Sequence, residues 1–133
     1  MSASMSASIR SFALVALGAL ALLLAMAPAH AESPDQQVEQ GLSEFQNLDF
    51  AQAIVTLEAV VRASEATPSQ RILALELIAI SHLSLGHSKR AEAAFERLLN
   101  LRPDYELRNH EGSPKVTAAF ETVRRRRGTE ITP

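Results

Sequence analysis

The chain has 133 residues, 47% of them hydrophobic and 21% charged, with a formal net charge of −2 and no cysteine. That length allows one small domain once an apolar leader is set aside, and without cysteine neither a disulfide framework nor a thiolate metal site can form. Near-neutral charge, a single tyrosine and no tryptophan exclude the basic, aromatic-interleaved surface that nucleic acid demands.

Arg10 precedes an uncharged run, Ser11 to Ala29, and the tripeptide Ala29-His30-Ala31 closes it. Basic, apolar and small-x-small segments in that order predict a signal peptide over residues 1–31, cleaved after Ala31, and hence a periplasmic or secreted protein. The alternative is a retained helix that tethers the chain to a membrane, because nineteen uncharged residues can span a bilayer. Its strongest part, Phe12 to Leu24, is shorter than a span, which favours cleavage.

Three segments then open on Ser33-Pro34, Thr67-Pro68 and Ser113-Pro114. A hydroxyl at the N-cap accepts from an orphan backbone N–H, and proline fits the first helical position, so each pair marks a helix start. Gln36 and Gln70 stand where a capping box needs them. Val38, Leu42 and Phe45 share one face of the first helix, and Asn47-Leu48-Asp49 breaks it. Asp49 caps a second helix, with Gln52 at its box position and Ala53, Ile54, Leu57, Val60 and Val61 on the buried side.

From Thr67 the arrangement repeats. Leu73, Leu77, Ile80 and Leu83 form a stripe, Gly86 supplies a left-handed C-cap, and a fourth helix from His87 or Ser88 buries Ala91, Ala94, Phe95, Leu98 and Leu101 before Pro103 ends it. Residues 104–112 read as polar and irregular. A fifth helix over 114–127 turns Val116, Ala119, Phe120 and Val123 inward, and residues 128–133 read as a disordered tail. No stretch alternates with period two, so no strand is predicted. The expected fold is all-α: two helical hairpins, about 34–65 and 67–102, with a capping helix, in a domain spanning 32–127.

Small residues recur at matching offsets, Gly41 with Ala53 and Ala79 with Ala91, where backbones can approach closely. On Ala79, Gly86, Ala91, Phe95 and Pro103, with Leu75 and Ile78 at large apolar positions, the second hairpin resembles the tetratricopeptide repeat (TPR) family, of the exported Gram-negative envelope type. The first hairpin matches at Gly41 and Ala53, with Phe45 at an aromatic position, but Leu48 stands where glycine is usual. Gly41 and Ala79 lie 38 residues apart against the family's 34, while Ser33 and Thr67 lie 34 apart. The four extra residues are therefore assigned to about one added turn at the start of the third helix.

The resemblance implies a binding face lined by the first helix of each hairpin: Asp35, Val38, Leu42, Phe45 and Gln46, then Leu73, Glu76, Ile80, Leu83 and Ser84. It implies an adaptor or scaffold in the cell envelope that holds a protein or peptide segment in an apolar groove with carboxylates at its edge. Lysine, asparagine and arginine, which the family uses to clamp a peptide's terminal carboxylate, are missing from these positions. The chain's own last helix could instead cover Leu42, Phe45, Ile80 and Leu83. Homodimerisation is the further expectation, since repeat domains usually need about three units to bury their faces.

Arg124 to Arg127 read as cations that complement the dipole at a helix C-terminus, with a polyanion ligand as the alternative. His82, His87 and His110 lack the spacing of a zinc site, and no nucleophile, base and orienter are placed together. No catalytic residue, metal ligand or cofactor is predicted, and a small metal-binding protein or enzyme is the least favoured reading.

Overall fold

Helix α1 spans Pro34–Gln46, α2 Phe50–Arg62, α3 Pro68–Ser84, α4 Ser88–Leu101 and α5 Pro114–Ile131. The structure, a computed structural model, describes residues 31–108 and 113–131. The apolar N-terminal segment with its predicted cleavage site, His110 and the last two residues fall outside that range. Among the described residues every regular element is helical, and no helix is long and apolar enough to cross a membrane.

The caps account for the helix starts. Ser33 and Thr67 each form a complete capping box, the Thr67 N–H donating to Gln70 Oε1 at 2.8 Å and the Gln70 N–H to Thr67 Oγ1 at 3.2 Å. Asp49 makes only half of one: its carboxylate accepts from the Gln52 N–H at 3.5 Å. His87 caps α4 without any side-chain hydrogen bond.

Both hairpins turn through the same hydrogen-bonded loop. The Asp49 N–H reaches Glu44 O at 2.9 Å and the Leu48 N–H reaches Phe45 O; the His87 N–H reaches His82 O at 2.8 Å and the Gly86 N–H reaches Leu83 O. These paired bonds close a Schellman C-cap, which needs a left-handed residue at its centre. Gly86 supplies it at φ +79° and Leu48 at φ +64°. Leucine pays a steric cost in this region that glycine does not.

Small residues let the helices close in. A Cβ on Gly41 would sit 2.5 Å from Leu57 Cδ2, so α1 lies directly on the α2 side chain. Ala53, Ala79 and Ala91 are fully buried, as is Phe95. Beyond the hairpins, α1 touches α3 and α5 packs on α4 and α3. Phe120 of α5 meets Phe95 edge-on, ring centres 5.3 Å apart. The added turn is visible in α3, which is 17 residues long against 13 for α1, with the excess ahead of Ala79.

Four details depart from the sequence reading. Leu101 is 47% exposed, on the outer side of the last turn of α4. Tyr105 and Leu107, in the stretch expected to be polar, are buried in the core. Helix α5 does not stop in the arginines but runs through Gly128 to Ile131, so a tail beginning at residue 128 is not what forms. The arginines consequently lie inside the helix, away from the final carbonyls whose dipole they were expected to complement. Arg126 pairs instead with Glu92 of α4 at 2.7 Å, Arg127 donates to Asn100 Oδ1 at 2.6 Å, and Arg124 pairs with Glu121.

Leu48 is 71% exposed, so its side chain contributes little packing to offset its backbone strain. Leu48→Gly is expected to stabilise the domain by about 1 kcal/mol. Thermal unfolding followed by circular dichroism should show a rise of about 4–8 °C in melting temperature. An unchanged or lower value would refute the strain.

Candidate functional site

The α3 residues Leu73, Glu76, Leu77 and Ile80 recur at intervals of three, one and three, so one helical face presents all four. Leu42, Phe45 and Gln46 of α1 face them. Together with Arg108, Ser113 and Val116 they line a groove of about 380 Å³. Its walls are mostly aliphatic and aromatic, and α3 forms its floor.

Six of the ten residues predicted for the groove are therefore brought together: Leu42, Phe45, Gln46, Leu73, Glu76 and Ile80. Four are not. Leu83 is buried in the core, and the Lys115 ammonium donates to its carbonyl at 3.2 Å, which seats the start of α5 over this end of α3. Val38 is half-buried and packs against the core cluster. Asp35 is engaged elsewhere, accepting from Gln70 Nε2 at 2.5 Å and so joining the starts of α1 and α3. The exposed Ser84 hydroxyl returns to Ile80 O. The last helix thus covers Leu83 and contributes Val116 as an end wall, while Leu42, Phe45 and Ile80 stay half-buried along the groove.

Glu76 differs from its predicted place at the rim. It is only 4% exposed, and the Tyr105 hydroxyl donates to its Oε2. The charge of Arg108 acts on the same tyrosine in the opposite sense to that of Glu76. Burial, followed by the hydrogen bond and the charge of Glu76, pushes the Tyr105 hydroxyl up to about 12. Among the described residues no cation stands within ion-pair distance of Glu76.

Tyr105, Leu107 and Arg108 lie in the stretch read as polar and irregular, where the inference that no period-two alternation occurs is wrong. The stretch Asp104-Tyr105-Glu106-Leu107-Arg108 does alternate polar and apolar residues, the mark of an extended segment with one face buried. Pro103 holds it out of the helix.

The histidines form no comparable site. His82 and His87 have ring centres 5.7 Å apart, and burial, then His87 and Arg90, lower the pKa of His82 against an opposing pull from Glu58. Among the described residues no three His, Cys, Asp or Glu side chains are placed to hold a metal ion. On the far side of the domain, Arg97 grips Glu58 with both guanidinium nitrogens, at 2.7 and 3.2 Å, and ties α4 to α2. Exposed pairs of this kind contribute little stability, about 1 kcal/mol at most.

Two stacked helical hairpins with a fifth helix and an apolar groove between their leading helices define the molecule as an all-α protein of helical-repeat form. No protein-family model, curated protein or solved structure matches the chain.

Tyr105 is the chain's single tyrosine, so its titration can be read without interference. In the folded protein the near-ultraviolet phenolate signal should appear with a midpoint about 12, against 10.0 for an ordinary tyrosine. A raised pKa means that the folded state holds this proton more tightly than the unfolded chain does. The associated stability is whole below pH 10 and is lost as pH rises through 12. Glu76→Gln should lower the midpoint; a folded-state midpoint of 10 would refute the buried contact.

Proposed function

We propose that the chain is an exported docking module of the tetratricopeptide repeat type, an adaptor that holds an apolar segment of another protein in the α1–α3 groove. One observation carries this reading: Leu42, Phe45, Leu73 and Ile80, all only half-buried, line a shared groove to which the fifth helix adds Val116. Aliphatic surface kept in water at a fixed spacing favours burial against a partner by about 25 cal/mol per Å². Eight of the ten lining residues sit on helices, with only Arg108 and Ser113 outside them, which limits the ordering entropy spent on binding. Export rests on the leader-like order of residues 1–31. An acidic first hairpin, with six carboxylates and no Lys or Arg from Glu32 to Val61, favours a partner with basic character.

The test is a photo-crosslinking amino acid at Phe45 in living cells, combined with Leu42→Asp and Ile80→Asp. Both replaced side chains are half-buried, so the double variant should keep its helical circular dichroism. Partner adducts should fall at least about tenfold, since each lost apolar contact is worth roughly 1.5 kcal/mol or more. Equal adduct yield in a folded double variant would eliminate the groove as the docking surface.

A further inference from the structure

Glu76 is out of place in an apolar wall. The residue is 4% exposed, it lies between Leu73 and Ile80 on the groove floor, and among the described residues its one hydrogen-bond donor is the Tyr105 hydroxyl. Removing a carboxylate from water without a cation beside it is costly, and a neutral hydroxyl offsets only part of that cost. The charge is positioned where a bound segment would lie, with aliphatic residues to either side.

We infer that Glu76 is a specificity subsite for a lysine or arginine side chain carried by the docked segment, with the stem of that side chain packed between Leu73, Leu77 and Ile80. This rests on the groove being the docking surface. An ammonium or guanidinium on a three- or four-carbon stem satisfies both halves of the site: the stem covers aliphatic surface and the head meets the buried carboxylate. A neutral side chain of equal length would fill the space and leave the carboxylate unpaired. An acidic one would place two like charges together in a poorly solvated site.

The surroundings agree with a cation. The α1 wall belongs to the stretch without Lys or Arg, so its field attracts positive charge. Arg108 is the opposing feature. It is exposed and lines the same groove as Glu76, so its charge already stands near that carboxylate. An incoming lysine competes with it, and Arg108 therefore weakens binding while leaving the preference for a cation in place.

The experiment uses two uncharged-terminus tripeptides, acetyl-Leu-Lys-Leu-amide and its norleucine counterpart, with n-hexylammonium as a bare amine. Binding to the full chain is followed by methyl chemical shifts of Leu42, Leu73 and Ile80. The lysine peptide should bind at least tenfold more tightly than the norleucine one. Glu76→Gln keeps an acceptor for Tyr105 and should erase that difference, whereas Arg108→Ala should tighten the lysine peptide several-fold. Equal affinity of the two peptides for the wild-type chain overturns the cation subsite but leaves the groove standing, provided Leu42→Asp abolishes both. Shifts from neither peptide overturn the groove reading as well. If n-hexylammonium binds as tightly as the lysine peptide, the site takes a small amine and the assignment to a protein segment fails.

Discussion

The whole stack depends on how closely two helix backbones can approach. With Gly41 pressed on Leu57, and with Ala53, Ala79 and Ala91 wholly enclosed, each hairpin closes without a large side chain between its backbones. Larger residues are then free to fill the space beside a hairpin, as Phe95 does against Phe120 of α5. No disulfide supplements this packing, and the exposed ion pairs add little. Between the hairpins, Gln70 of α3 donates to Asp35 of α1 and joins the starts of the two helices that flank the groove.

Much of this was legible in the residues. N-cap hydroxyls followed by proline located the helix starts, and Gln36 and Gln70 close the boxes that their positions implied. The 34- and 38-residue spacings located the extra turn of α3, because caps and small residues report different registers. Six of the ten expected groove residues converge for the same reason: helical periodicity decides which side chains share a face.

What was not legible depends on contacts between segments distant in the chain. Leu83 belongs to the same stripe as Ile80, yet the start of α5 covers one and not the other, and stripe membership cannot show where a later helix will land. Arg126 and Arg127 looked like a terminal cluster until Glu92 and Asn100, about thirty residues earlier, were seen to receive them. Helix α5 extends past Gly128 because a single glycine costs a helix only about 1 kcal/mol. Burial of Glu76 requires Tyr105, which is brought to it by an extended segment that has no helical period.

Val116 belongs at once to the fifth helix and to the end wall of the groove. Helix α5 seats Val116, Phe120 and Val123 in the core, and the Lys115 ammonium on Leu83 O and a few guanidinium contacts fasten its flanks. One side chain thus serves both the core and the recess, so any shift of that terminal helix also moves the recess's boundary.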